Sequence, residues 1–350
     1  MNPIAPTKVE SRENPAIERP RVGDTAHPLD EGATQSSRKA LKMTNAANFG
    51  MKQGAVDLPR LIARVRAEFP QLDFTRAVLN DDGEDHAVVV VDDAWVFRFP
   101  RTAEYARFAV GERRLLARLN LVSTLATPVY EMISAHGDFA GYPMIPGRQL
   151  SEDLFATLPR EIQERIIDEL GSFLACLHAL PIDLIRLPDG AMPPVGAGSD
   201  MARRYRQRRA DLAAALPDDL IPRVDDFYAA LPAVVDTAPK VLIHGDLTED
   251  HILLAPGGDR LAGVIDFTDA GAGDPAYDFT FLWAYGDWTL ARALSRYGTE
   301  LDVEDLVERS RWWWTRYSVD RLWWSVTGAR ACDTEKVIGD IRDSLKTLGL

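Results

Sequence analysis

The sequence predicts an α+β protein in which a small β-rich lobe precedes a larger, mainly helical lobe. Three observations carry this prediction. Short β-branched or alternating runs, separated by turn residues, lie between residues 74 and 145. Pro146-Gly147 then breaks the chain, and apolar residues recur at helical spacing over most of the remaining sequence. Two segregated lobes also leave a cleft between them, which is a common place for a ligand.

The boundaries of the predicted segments follow from composition and patterning. The first lobe is expected over residues 51–145 and the second over residues 146–350. Residues 1–50 differ from both, because they are rich in Pro, Ser, Glu and Arg and have no sustained apolar period. A flexible extension is therefore predicted for residues 1–50.

Each lobe has its own predicted elements. In the first lobe, helices are expected over 56–69 and 103–119, and strands at 74–79, 87–91, 95–99, 128–133 and 142–145. Asp92-Asp93 is the expected hairpin turn. In the second lobe, strands are expected at 240–243, 252–254 and 261–265, and helices over 160–178, 201–216, 218–231 and much of the chain after 275. The last helical region is crowded with tryptophans, for which core packing is expected, with some exposed or lining a groove: Trp312, Trp313, Trp314, Trp323 and Trp324.

Composition and charge exclude several classes of protein. The 350 residues are 46% hydrophobic and 27% charged, as in globular proteins, and no apolar run is long enough to span a membrane. The net charge of −13 predicts no nucleic-acid partner; by itself it is explained by solubility, and among ligands it favours cationic ones. Two cysteines exclude a disulfide framework, and no secretory signal is visible at the N-terminus, so a cytoplasmic location is expected. The oligomeric state is left open.

The strongest functional signal lies in two loops that directly follow short apolar strands. The first loop is His244-Gly245-Asp246-Leu247-Thr248-Glu249-Asp250-His251, and the second contains Ile265-Asp266-Phe267. This spacing is typical of phosphoryl transfer, in which one aspartate accepts a hydroxyl proton and a ligand five residues later holds a metal ion. A second aspartate on the next strand joins the metal to the phosphates, and carboxylate oxygens suit Mg²⁺.

Together with Gly273-Asp274-Pro275-Ala276-Tyr277-Asp278, these motifs resemble the aminoglycoside phosphotransferase family, over roughly residues 72 to 285. The resemblance implies a protein-kinase-like, two-lobed fold that uses ATP or GTP, with the nucleotide bound by the first lobe and the acceptor by the second. It implies Asp246 as catalytic base and Asp266 as metal ligand. It implies that residues 142–147 form a hinge whose backbone, at Pro143 and Ile145, holds the purine, and that Asp274 and Asp278 brace the catalytic loop.

Two positions depart from the family pattern. His251 replaces the usual metal-binding asparagine. A histidine at this position resembles the aminoglycoside 2''-phosphotransferases and the macrolide phosphotransferases. Imidazole suits Mg²⁺ less than oxygen does, so Mn²⁺ is an expected alternative, and activity is expected to fall below roughly pH 6.5. Arg98 stands in the strand that usually carries a lysine, and Glu112, within an apolar helix stripe, is its expected partner. The alternative is that Glu112 reaches solvent and Arg98 covers surface.

The acceptor is expected to be a hydroxyl-bearing cation of the aminoglycoside type, because acidic residues lie near the catalytic loop: Glu249, Asp250, Asp269 and Asp287. A macrolide or another small molecule is the alternative. A metal-dependent hydrolase using His244, Asp246, His251 and Asp266 and a nucleotide-binding pseudoenzyme also remain open. Among the other histidines, His86 is expected to be solvated and His244 to orient the catalytic loop.

Overall fold

The computed structural model describes residues 56–350 except 82, 84, 188, 194 and 299–301. The expected N-terminal extension, residues 1–50, lies outside the described residues. No helix among the described residues is long and apolar enough to cross a membrane. The arrangement is the α+β one predicted, with an antiparallel sheet followed by a mainly helical region.

A five-stranded antiparallel sheet forms the first part of the described chain, in the order β1-β2-β3-β5-β4. Its strands are β1 (Ala77–Asn80), β2 (His86–Val91), β3 (Trp95–Pro100), β4 (Met132–Ile133) and β5 (Ala140–Pro143). Asp92 and Asp93 turn between β2 and β3 with φ angles of 49° and 50°, as a tight hairpin requires. Phe97 and Phe99 of β3 project to one face, where they pack with Val65 of helix α1 (Leu58–Glu68).

Helix α2 (Ala103–Leu119) connects this sheet with the larger core of the protein. Thr102 caps its N-terminus by accepting the N–H of Tyr105. Its buried leucines, Leu115 and Leu116 among them, belong to the larger apolar cluster rather than to the cluster of the sheet. Glu112, on the same buried stripe, faces the sheet and pairs with Arg98. The helix therefore fixes the sheet to the helical region.

The helical region is built around one large apolar cluster. Its helices are α3 (Glu152–Thr157), α4 (Arg160–His178), α5 (Gly198–Ala213), α6 (Ile221–Val235), α7 (Asp287–Tyr297), α8 (Val303–Val326) and α9 (Thr334–Thr347). Helix α8 is apolar on more than one side because α5, α6 and α9 all pack against it. All five tryptophans of the two clusters are at most 6% exposed, which confirms core packing as their main role.

Two small sheets carry the loops singled out in the sequence. One contains β6 (Arg148–Gln149), β8 (Ile252–Leu254) and β9 (Leu261–Val264), and the other pairs β7 (Val241–Ile243) with β10 (Gly271–Gly273). The loop after β7 holds residues 244–251, and the loop after β9 holds Asp266. Backbone pairing of Ile265 with His251 joins the two loops, through a hydrogen bond of 3.0 Å.

Candidate active site

The loop after β7 is held from behind by one buried carboxylate. Asp278 accepts the backbone N–H groups of His244, at 2.7 Å, and Gly245, at 3.0 Å. It also accepts from His178, at 3.0 Å, so this carboxylate joins the loop to the helix behind it. Gly245 has a φ of +81°, and a Cβ there would lie 2.3 Å from the carbonyl oxygen of Asp269, so only glycine fits this turn.

His244 orients the loop that carries Asp246. Its Nε2 lies 3.1 Å from the carbonyl oxygen of Ile265, and its Nδ1 accepts the backbone N–H of Asp246 at 3.2 Å. This pattern requires a neutral ring with the proton on Nε2. Burial lowers the pKa of His244 to about 4, which keeps the ring neutral. The geometry agrees with the expected orienting role.

Asp246, His251 and Asp266 converge at the junction of the two loops. His251 Nδ1 lies 3.4 Å from a carboxylate oxygen of Asp246 and 2.7 Å from its backbone oxygen, and His251 Nε2 lies 3.7 Å from Asp266. Asp266 adopts a left-handed backbone, with a φ of 63°, which an aspartate tolerates better than most residues. The side chains of Asp246 and His251 are 9% and 12% exposed, whereas that of Asp266 is 41% exposed. The three groups thus lie together, with Asp266 accessible from solvent and the other two largely covered.

Arg98 connects the sheet with this junction. Its guanidinium donates to Glu112 at 2.7 Å, to Tyr130 at 3.1 Å and to Asp266 at 2.8 Å, and it also contacts Thr268. The pair with Glu112 is 6% exposed on both sides, so the alternative in which the two residues reach solvent is wrong for this structure. A planar guanidinium can serve several acceptors at once, which an ammonium cannot do in the same geometry.

His86 completes the surroundings of Arg98 and corrects a prediction. Expected to be solvated, it is 5% exposed, and its Nδ1 lies 3.2 Å from the Arg98 guanidinium. Burial, together with the charge of Arg98, lowers the pKa of His86 well below its usual value, so it is neutral and accepts a hydrogen bond. Strand register contains the missed signal: Val88 pairs with Arg98, and His86 lies two residues away on the same face of the sheet.

Asp266 and His251 fit the divalent cation that the family resemblance implies. Desolvation by the surrounding protein atoms raises the pKa of the Asp266 carboxyl, which is still 41% exposed, but Arg98 and then His251 hold that pKa well below its usual range, so the carboxylate stays ionised. Burial lowers the pKa of His251, but the carboxylates of Asp246 and Asp266 outweigh it and raise the pKa above its usual value. Nδ1 of His251 carries a proton that it donates to the carbonyl oxygen of Asp246, so the lone pair of Nε2 is available to bind a metal ion.

This donor set is a partial one. Among the residues that the structure describes, no three His, Cys, Asp or Glu side chains are grouped so that they could hold a metal ion by themselves. A nucleotide-bound Mg²⁺ commonly takes only one or two protein ligands, because phosphates and water supply the others. Asp266 and His251 are therefore compatible with a metal that arrives with its nucleotide.

The predicted hinge follows β5. Pro143 pairs with Trp95 across the sheet, and the neighbouring N–H of Met144 donates to the carbonyl of Ala94 at 2.8 Å. Pro143 and Ile145 are both half-buried, at the end of β5 where the chain leaves the sheet. Their backbone role toward a purine stays a prediction.

The four acids predicted to bind the acceptor lie in different surroundings. Arg330 lies 3.2 Å from Glu249 and 3.2 Å from Asp250, so both carboxylates have an internal counter-charge. Asp269 lies beside the catalytic loop, where its carbonyl approaches Gly245. Asp287 is exposed at the start of α7, and its charge acts on Arg311. No sequence signal pointed to Arg330, which lies after α8 and is 81 residues from Glu249.

Comparison with known proteins agrees with this geometry. The family model described as "Phosphotransferase enzyme family" matches residues 76–313. Viomycin phosphotransferase of Streptomyces vinaceus is 29% identical over 224 residues, which cover 61% of this chain and 75% of that protein.

Two solved structures show the same fold. The GDP and kanamycin complex of APH(2")-IIia superposes with a TM-score of 0.65 and 24% identity, covering 82% of this chain and 97% of that one. Macrolide 2'-phosphotransferase type I superposes with a TM-score of 0.53 and 21% identity, covering 84% of this chain and 99% of that one.

A sheet tied to a helical region, with two polar loops converging at the junction, is the protein-kinase-like fold that these solved structures share. The match to the family model extends over more than half of the chain, so the protein belongs to the phosphotransferase enzyme family of aminoglycoside phosphotransferases and their relatives. It is a small-molecule kinase that uses a nucleotide co-substrate.

Proposed function

We propose that the protein transfers the γ-phosphate of ATP or GTP to a hydroxyl group of a small cationic molecule of the aminoglycoside type. The observation that carries the proposal is the convergence of Asp246, His251 and Asp266, with Arg98 bonded to Asp266. Phosphoryl transfer needs little covalent chemistry from the protein, and it depends on positioning and charge. The hydrogen bonds and ion pairs at this junction supply both positioning and charge.

Asp246 is the proposed catalytic base. Its carboxylate accepts the proton of the acceptor hydroxyl while the hydroxyl oxygen bonds to the γ-phosphorus and the bond to the β-phosphate breaks. His244 and Asp278 hold the loop so that this carboxylate keeps its place without reorganisation. Arg98 fixes the orientation of Asp266.

Mg²⁺, with Mn²⁺ as the alternative, is the proposed metal, and Asp266 and His251 are its proposed protein ligands. When bound, it would neutralise phosphate charge. Because a proton competes for His251, whose pKa is raised by Asp246 and Asp266, metal-dependent activity is expected to weaken as the pH falls.

Two observations support a cationic acceptor. The whole chain has a net charge of −13, and relatives include a viomycin phosphotransferase and a structure in complex with kanamycin. A macrolide or another acceptor with an apolar part is the second candidate, because the aromatic side chains of Phe281, Tyr317 and Trp324 help to line one recess near the loop that carries Asp246. Both candidates share the same chemistry at Asp246.

A coupled nucleotide-turnover screen across aminoglycosides, macrolides and small amino-alcohols tests the proposal, with ATP and GTP in parallel. Asp246→Asn is expected to lower turnover by on the order of 10²–10⁴-fold, the usual effect of losing a general base. Nucleotide binding, measured by thermal shift, is expected to persist in this variant. Asp259→Asn, in the exposed turn between β8 and β9, is the matched control.

Three other results would contradict the proposal. Phosphate release from an ester without any nucleotide would indicate a hydrolase. Nucleotide binding with no turnover for any acceptor would indicate a pseudoenzyme. Equal activity of the Asp246→Asn and Asp259→Asn variants would remove the catalytic base from Asp246.

A further inference from the structure

A cavity of about 120 Å³ lies where helix α8, the start of α3 and the catalytic loop meet. One part of its wall is aromatic, and the rest carries two acids and two arginines. The lining residues that matter here are Phe281, Tyr317, Trp324, Glu249, Arg321 and Arg330. A recess lined by both aromatic and charged side chains can receive a small polar part of a ligand.

The cavity borders the loop that carries the proposed catalytic base. Glu249, in its wall, is only three residues after Asp246 in the same loop. Burial is the largest influence on Tyr317 and raises its pKa, and the charge of Asp246 adds to this rise. Burial lowers the pKa of Arg330, but nearby acids, Asp246 among them, outweigh it and raise that pKa. A molecule in the cavity would therefore lie beside the loop that carries Asp246.

The acids of this wall are already engaged within the protein. Glu249 uses one oxygen for Arg330, at 3.2 Å, and the other for the backbone N–H of Glu152, at 2.9 Å. Arg330 also lies 3.2 Å from Asp250, so one guanidinium serves both carboxylates. The side chain of Arg330 is 22% exposed, and those of Glu249 and Asp250 are 24% and 11% exposed. These ion pairs are partly shielded from water.

We propose that Arg330 is a specificity-determining residue, which limits the part of the acceptor in this cavity to no more than one ammonium group and an apolar face. This inference rests on the proposed function, and it narrows the cationic acceptor proposed there. A polycation would have to displace Arg330 from Glu249 and Asp250 before it could use their charge. A neutral or singly charged group meets acids that are already paired, and it can contact the small exposed parts of Phe281, Tyr317 and Trp324.

Binding of simple amines tests this without any need for turnover. The probes are ethanolamine, with one ammonium group, and spermine, with four, and their dissociation constants are measured by calorimetry on the full chain. Arg330→Gln is expected to bind spermine about tenfold more tightly than the wild-type protein, because two carboxylates lose their internal partner. Affinity for ethanolamine is expected to change by less than about twofold.

Arg342→Gln is the matched control, because it removes the same charge from an exposed pair with Asp219, which does not line the cavity. It is expected to leave both affinities near those of the wild type. Arg330→Lys keeps a cation and is expected to restore weak spermine binding. Adding Glu249→Gln and Asp250→Asn to Arg330→Gln is expected to abolish the gain, and a melting curve for each variant establishes that it is folded.

The inference is overturned if Arg330→Gln and Arg342→Gln change spermine binding equally, or if the gain survives removal of the two acids. It is also overturned if Arg330→Gln strengthens ethanolamine and spermine binding by the same factor. Failure of the proposed function would show differently, as a lack of turnover in the nucleotide screen whatever the amine affinities are.

Discussion

Arg98 joins the antiparallel sheet to helix α2 and to the loop that carries Asp266. It reaches Glu112 in α2, Asp266 after β9 and His86 in β2 at the same time. Its ion pair with Glu112 is buried, so the loss of Arg98 would leave the Glu112 carboxylate without a counter-charge, whereas Arg98 without Glu112 would still pair with Asp266. The guanidinium shape explains how one side chain can hold three segments together.

Replacing Arg98 by lysine tests this dependence on shape rather than charge. An ammonium cannot keep all of these contacts, so kcat/KM for the nucleotide is expected to fall roughly tenfold, and the melting temperature is expected to fall as well. Arg101→Lys is the control, because Arg101 lies just beyond β3 and pairs with Asp81 near the surface. Nucleotide kinetics that are the same for the two variants would show that only the charge at position 98 matters.

For single residues, the sequence predicted an ion pair between two side chains more readily than a hydrogen-bond network of three or more. The pairing of Arg98 with Glu112 could be predicted, because a carboxylate within an apolar stripe needs a partner. Tyr130, bonded to both residues, could not, since nothing in its local pattern marks a buried hydroxyl. Arg330 was missed for a related reason, because its partners lie far away in the sequence.

Helices α4 and α7 pack so closely that the effect of one substitution on stability can be predicted. A Cβ at Gly171 of α4 would lie 2.3 Å from the carbonyl oxygen of Ala293 in α7. Gly171→Ala is therefore expected to lower the free energy of unfolding by roughly 1–3 kcal/mol, although alanine favours a helix. Urea unfolding measures the change.

Gly339, in α9, supplies the matched comparison. No heavy atom lies within 4 Å of a Cβ placed there. Gly339→Ala is expected to raise the free energy of unfolding by up to about 1 kcal/mol through helix propensity. If both substitutions stabilised the protein, the contact between α4 and α7 would have to be looser than the structure shows.

The elements differ in how far the sequence predicted them. Helices α2 and α4 begin and end where their apolar periodicity and flanking residues predict. Strand β10, Gly271–Gly273, was not predicted, because Gly-Ala-Gly carries no side-chain pattern and pairs with β7 only through its backbone. The strand expected over 128–133 is confined to Met132–Ile133.

For the molecule as a whole, the neutral His244 ties stability to pH. Burial lowers its folded-state pKa to about 4, whereas an unfolded histidine has a pKa near 6.5. Between these values the unfolded state binds more protons, so stability falls as the pH falls through this window. The contribution of His244 is expected to decrease by about 2 kcal/mol between pH 7 and pH 5.

Urea unfolding of the wild type and of His244→Gln at both pH values measures this contribution. The difference in unfolding free energy between the two proteins is expected to be smaller at pH 5 than at pH 7. Comparing the proteins removes the influence of other groups, including His251, whose raised pKa acts in the opposite direction. Parallel pH dependence of the two proteins would contradict a buried neutral ring.

The two-part architecture was predictable from the change in periodicity, but the way its parts share helix α2 was not. The sequence assigned α2 to the first lobe because it lies between two strands. In the structure its leucines join the larger apolar cluster, while Glu112 turns to the sheet. A periodic stripe indicates that a face is buried, but not which neighbour buries it. The proposed limits of the two lobes stay predictions.

The left-handed backbone at Asp266 favours glycine, whereas the proposed metal binding requires the carboxylate. Glycine would adopt the φ of 63° without the steric penalty that an L-residue pays, and it would also remove the carboxylate proposed to hold the metal. Ranking substitutions by backbone fit alone would therefore select Asp266→Gly, the change that is expected to abolish the proposed metal binding. Thermal robustness and turnover have to be selected together at this residue.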